Sequence, residues 1–104
     1  MKGKAGTFIG FAVKAGRVLY GVESIERYKR AKYLILTCPT LAENSRKRLM
    51  AKIEGIPVIQ PKNETLSALL HRENCKAAAL TDRELAQAVL KYLDDGFQRM
   101  TEVR

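Results

Sequence analysis

Tyr33-Leu34-Ile35-Leu36-Thr37-Cys38 is an almost continuous apolar run in a chain where 29% of residues are charged. A strand with one wet face alternates polar and apolar residues. A run without that alternation is expected of a strand covered on both faces. Covering both faces takes a layer of helices on each side, which points to an α/β arrangement.

The flanking segments fit that frame. Thr7 to Ala15 is a short apolar segment containing Gly10 and reads as a helix ending at Gly16. Arg17-Val18-Leu19-Tyr20 reads as a short strand. Gly21 then opens a polar helix, Val22 to Arg30, with Glu23/Arg27 and Glu26/Arg30 at the favourable i,i+4 spacing. Thr40-Leu41-Ala42-Glu43 has the form of a capping box. It predicts a helix running to about Glu54 and halted by Gly55, with Leu49, Met50 and Ile53 facing inward.

Pro57-Val58-Ile59-Gln60 is the next short strand, and Asn63 is a good N-cap for a helix carrying Leu66, Leu69 and Leu70. Ala77-Ala78-Ala79-Leu80 is a fourth strand. Thr81-Asp82-Arg83-Glu84 is a second capping box, with Leu80 and Leu85 placed as a hydrophobic staple. The helix behind it shows a stripe of Leu85, Ala88, Val89, Tyr92 and Leu93. Beyond Asp94-Asp95-Gly96 the tail is mixed and is expected to fray or to be helical only in part. Alternating helices and strands predict an α/β fold: a three-layer α/β/α sandwich around a four-stranded, mixed or mostly parallel sheet.

A length of 104 residues suits one compact domain, and 46% apolar residues exclude a wholly disordered chain. No apolar run approaches the roughly 20 residues of a membrane span. The start is basic and then apolar, with no signal-peptide h-region, so an unexported cytoplasmic protein without a membrane partner is expected. Cys38 and Cys75 lie too far apart for a zinc ribbon or a redox Cys-x-x-Cys. Each sits at the end of an apolar stretch, as buried, reduced thiols do, which suits a reducing compartment.

Charge is divided unevenly. The net +8 splits into +9 over residues 1–52 and −1 over residues 53–104. An evenly solvated surface does not require that asymmetry; a face that meets a polyanion does. Catalytic material is thin. His71 stands without ligand-spaced partners, no glycine pattern matches a nucleotide-phosphate loop, and Cys38 has no partner base nearby. Neither catalysis, metal nor cofactor is expected. Polyanion binding has better residues: Lys14, Arg17 and Arg27 bracket the glycine-marked turn at Gly21, and Ser24 adds a hydroxyl. A second basic cluster, Arg46-Lys47-Arg48 with Lys52, competes with it.

The order Gly10-x-Ala12-x-Lys14-Ala15-Gly16-Arg17, Tyr20-Gly21, Ala31-Lys32-Tyr33-Leu34-Ile35-Leu36-Thr37, Glu43-Asn44-Ser45-x-Lys47-x-Leu49, Ile56-Pro57-Val58 and Ala79-Leu80-Thr81-Asp82 resembles the kink-turn-binding ribosomal proteins. These are the archaeal L-seven-Ae and eukaryotic L-thirty-e proteins and their bacterial YlxQ-type branch. The resemblance covers about residues 8–93. It implies the same α/β/α sandwich and an RNA partner. The family reads RNA through a Gly-x-Asn-Glu-x-x-Lys motif at its second helix. Here Gly21 matches, Glu23 stands at the Asn position, Ser24 at the Glu position and Arg27 at the Lys position. The family's later loop, which closes over RNA, corresponds to Arg72-Glu73-Asn74-Cys75-Lys76, placing Arg72 and Asn74 beside the motif.

The departures weaken base reading more than phosphate binding. Ser24 cannot accept from a base edge as a carboxylate does, and Glu23 brings negative charge toward the phosphates. The expected function is therefore a small basic RNA-binding protein, ribosome-associated or accessory to structured RNA such as ribosomal RNA, with no DNA target. The alternative is a protein-interaction module on the same fold that has lost kink-turn recognition.

Overall fold

The structure, a computed structural model, describes residues 3–53 and 55–100. Its elements are α1 (Lys4–Lys14), β1 (Val18–Tyr20), α2 (Val22–Arg27), β2 (Leu34–Thr37), α3 (Glu43–Lys52), β3 (Val58–Pro61), α4 (Leu66–Leu70), β4 (Ala77–Leu80), α5 (Arg83–Lys91) and β5 (Phe97–Arg99). The strands form one sheet in the order β1-β4-β2-β3-β5.

Strand periodicity sorts the core into two faces. Leu34 and Leu36 of β2, and Cys38 just after it, join α1, α4 and α5 on one face, with Ala78 and Leu80 of β4. Ile35 of the same strand points the other way, with Ala77 and Ala79, toward Ile25 of α2 and Leu49 and Ile53 at α3. The apolar run from Tyr33 thus becomes a central strand buried on both sides, as its lack of alternation requires. Leu34, Ile35 and Leu36 are all inaccessible to solvent. Each contributes about 1.5–3 kcal/mol by burial. Both cysteines are free and buried.

The mixed α/β sandwich stands, but its sheet differs from expectation in two respects. It has five strands, not four. Phe97–Arg99 pairs antiparallel with β3, through Ile59↔Arg99 and Pro61↔Phe97, where a fraying tail was expected. The parallel character is also confined to β2–β3, since β1–β4, β2–β4 and β3–β5 are antiparallel. β4 enters between β1 and β2 in the opposite direction, which alternating helices and strands do not by themselves forbid.

The capping signals hold only in part. The N-cap of α5 is Asp82, whose carboxylate accepts from the Leu85 amide at 2.9 Å. Thr81 instead donates its hydroxyl to the Arg17 carbonyl. α4 is capped by Thr65, not Asn63. The Thr40 box does not form: α3 starts after Ala42 with no side-chain cap. Thr40 is held elsewhere, accepting from Lys76 Nζ at 2.7 Å. α2 stops at Arg27, short of Arg30, so the Glu26/Arg30 helical pair is not made. Glu54, the expected end of α3, and residues 101–104 of the tail lie outside the described residues.

Candidate nucleic-acid interface

β1 ends against β4, with Tyr20 opposite Ala78 and the Gly21 amide donating to the Ala77 carbonyl at 2.7 Å. Holding that bond while turning into α2 sets Gly21 at φ 94°, ψ 150°. That region is costly for any residue with a Cβ. A Cβ built there would meet no atom within 4 Å, so the demand for glycine is conformational and the space above it is open. Ile25 anchors the helix in the core, while Glu23 and Arg27 are exposed. Ser24 is half-buried. α2 has only six residues, so its dipole adds little, and anion binding at this junction falls to side chains.

The segment after α4 is brought to the same place. His71 and Asn74 adopt left-handed backbone conformations, at φ 55° and 57°, to turn the chain back into β4. Ser67 fastens the turn, accepting from the Cys75 amide at 2.9 Å. With β4 paired to β1, Arg72 reaches back and sets its guanidinium carbon 3.9 Å from the centre of the Tyr20 ring. Arg72 and Asn74 are both exposed. Gly21, Ser24, Arg72 and Asn74 therefore come from two distant stretches to one end of the β1–β4 pair.

Lys14 and Arg17 do not join them. The Arg17 carbonyl accepts from the Thr81 amide at the opposite end of β1. A three-residue strand, roughly 10 Å long, separates these two bases from Gly21. Glu23 and Arg27 form no ion pair among the described residues; the pair formed there is Arg48 with Glu26.

The competing basic cluster is largely engaged. Arg46 turns inward, donating to Gln60 Oε1 at 3.1 Å, to the Cys38 carbonyl at 3.3 Å and to Thr37 Oγ1 at 3.4 Å. Thr37 and Gln60 are buried polar side chains bonded to each other at 2.9 Å. Arg46 thus satisfies a polar pocket at the ends of the parallel strands β2 and β3. Arg48 grips Glu26 with two bonds of 2.8 Å and holds its carboxyl below the ordinary range. Of the cluster, Lys47 and Lys52 remain exposed with no hydrogen-bonded or ion-paired side-chain partner among the described residues. Nothing in the linear charge pattern distinguishes them from their neighbours.

The two thiols sit in opposite electrostatic settings. Burial opposes ionisation of Cys38, yet the Thr40 hydroxyl at 3.1 Å, the Leu66 and Thr40 amides and the Lys76 charge together hold its pKa below the usual value. Burial pushes the Cys75 thiol up. Among the described residues, no group of three His, Cys, Asp or Glu is placed to hold a metal. A cavity of 470 Å³ at the start of α1 is lined by Glu64, Asp94 and Asp95 with Gly3, Gly6 and Phe97, a wall that repels a polyanion. No described helix is long and apolar enough to cross a membrane.

No family model matches the chain, and no curated protein matches it. Among solved structures, a protein with unknown function from Bacillus halodurans C is similar over 86% of this chain and 96% of its own, at a TM-score of 0.75 and 18% identity. At that identity the likeness establishes the α/β fold.

Proposed function

We propose that the protein binds structured RNA, ribosomal RNA among the candidates, chiefly through phosphates at the Gly21 junction and the Arg72–Asn74 turn. The observation that carries this reading is Arg72 on the Tyr20 ring beside an open, conformationally demanding Gly21. The excess charge of residues 1–52 supports a polyanion partner in general, and of its bases Arg27 stands exposed on α2 behind the Gly21 junction. The internal engagement of Arg46 and Arg48 also supports the site, since it removes much of the rival surface. The resemblance to kink-turn-binding proteins names the same two segments. Since Glu23 and Ser24 replace the base-reading pair, the protein holds a kink-turn little better than an ordinary bulged duplex. A cytoplasmic, non-catalytic role accompanies this reading.

A salt titration tests it, using both RNAs with wild type, Arg27→Ala/Arg72→Ala and Lys47→Ala/Lys52→Ala. The first double variant is expected to weaken both RNAs alike and to reduce the salt slope by about 0.7–0.9 for each phosphate left unneutralised. Loss of binding in the second variant alone overturns the site. Absence of binding by wild type at low salt overturns the function and favours a protein-interaction module.

A further inference from the structure

Phe11 and Tyr92 are the large apolar side chains left exposed among the described residues, at 49% and 37%. They belong to one patch. Phe8 lies between them, stacked on Tyr92 with centroids 5.7 Å apart and a 23° tilt, and edge-on to Phe11 at 5.8 Å. The patch spans α1 and α5 and is rimmed by cations. Lys4 Nζ lies 4.8 Å and Lys91 Nζ 5.5 Å from the Tyr92 centroid. Lys14, exposed, follows Phe11 by three positions on α1. Glu84 stands at the far end of α5, while Asp94, against Gly3, and Asp95 line the neighbouring cavity at the start of α1, so the cationic rim is least opposed at the Phe11–Lys14 end.

We propose that this patch is a stacking platform for unpaired nucleotides of an RNA strand, with Phe11 and Tyr92 taking bases and Lys4, Lys14 and Lys91 taking phosphates. Flat rings interleaved with cations are what a single strand requires, because every base has a π-face and every link a charge. Three exposed lysines on the rim, against two aspartates at its Lys4 end, leave the charge in favour of a polyanion. The area disfavours a stable protein partner: two exposed rings fall far short of the roughly 800 Å² per partner of an ordinary interface. Lys4 and Lys91 are at exposed positions, so a base that takes the Tyr92 face would displace their ammonium groups toward its flanking phosphates.

This surface is separate from the Gly21 junction, and a different RNA probes it. Short unstructured polyadenylate is titrated against wild type, Phe11→Ser, Phe11→Leu and Arg27→Ala/Arg72→Ala, with inorganic polyphosphate as the phosphate-only control. Both Phe11 variants are expected to weaken polyadenylate by about five-fold or more. They should leave polyphosphate unchanged, and the arginine variant should bind polyadenylate like wild type. Because the chain has no Trp, stacking should also quench tyrosine fluorescence, and Tyr92→Leu should abolish that quench. Polyadenylate binding indifferent to both Phe11 variants overturns the proposal. So does failure of wild type to bind polyadenylate, whatever happens with structured RNA. Self-association of wild type that Phe11→Ser removes would assign the patch to a second copy, and overturns it as well.

Discussion

Arg48 and Glu26 face each other across α3 and α2, joined by two hydrogen bonds of 2.8 Å from Nε and Nη2. The bidentate fork fixes the exposed side of α2, while Ile25 fixes its buried side. A six-residue helix is marginal alone, so its place beside Gly21 depends on these two anchors.

The pair makes stability pH-dependent. Bonding to Arg48 lowers the Glu26 pKa in the folded chain. A depressed carboxyl contributes stability that is present above its unfolded value, roughly 4.3, and is lost as pH falls through the lower folded value. Arg48→Met should therefore have a lower urea midpoint than wild type at neutral pH, with the gap closing in acid. High salt should narrow it too, because Arg48 is largely exposed. A gap that persists unchanged at the acid end would assign the effect to packing of the arginine stem.

The two capping sequences look alike but should respond differently. Asp82 accepts from the Leu85 amide, so Asp82→Ala is expected to cost about 1 kcal/mol. Calorimetry would register a fall of roughly 4–8 °C in Tm. Thr40 caps no helix; it holds Lys76 and the Cys38 thiol. Thr40→Ala should leave α3 helicity intact and act instead on the thiol. Loss of helical circular dichroism in Thr40→Ala would contradict this assignment.

This contrast shows which features are legible in the sequence. Tyr33–Cys38 declares a doubly covered strand because burial on both faces erases alternation, and Ala77–Leu80 forms the expected strand for a related reason. Glycine spacing marks Gly21. Partners distant along the chain are hidden. Thr40 loses its cap role to a lysine 36 positions away. Phe97-Gln98-Arg99 carries one apolar residue and no strand pattern of its own, and it exists through pairing with β3. Arg46 and Arg48 read as a basic run, but only folding shows that a buried Thr37–Gln60 pair and a carboxylate consume them. The Arg72–Tyr20 contact needs β1 and β4 to be neighbours, which neither strand announces.

The thiols should titrate in a fixed order. Cys38 is lowered and Cys75 raised from the ordinary value. As pH rises through about 8.5, Cys38 adds stability, because its depressed folded value favours thiolate in the native state. Cys75 removes stability over the same range, because its raised value resists ionisation. Relative to wild type, Cys75→Ala should hold its urea midpoint better at alkaline pH, and Cys38→Ala should lose more. Thiolate ultraviolet absorbance of the two variants provides the direct check: the signal remaining in Cys75→Ala must appear at lower pH than that in Cys38→Ala. The reverse order would show that burial outweighs the Thr40, Leu66 and Lys76 contacts.

One substitution at two glycines should act in opposite directions. At Gly10 an added Cβ meets nothing within 4 Å, and the position lies inside α1. Gly10→Ala should stabilise by about 0.5–1 kcal/mol, since alanine loses less backbone freedom in a helix. At Gly21 the surroundings are equally open, but φ is 94°. Gly21→Ala should cost on the order of 1–3 kcal/mol. Relief of that strain would pull the Gly21 amide from the Ala77 carbonyl and shift the start of α2 away from Arg72. Thermal melts of both variants give the stability signs, and structured-RNA titrations of the same samples follow the site. Gly10→Ala should bind like wild type, and Gly21→Ala should bind more weakly even at a temperature where it is fully folded. If Gly21→Ala melted with wild type, the left-handed turn at the entrance to α2 would not be the conformation the chain holds. If it melted lower but bound normally, the junction would matter to the fold alone, and the RNA contact would lie elsewhere.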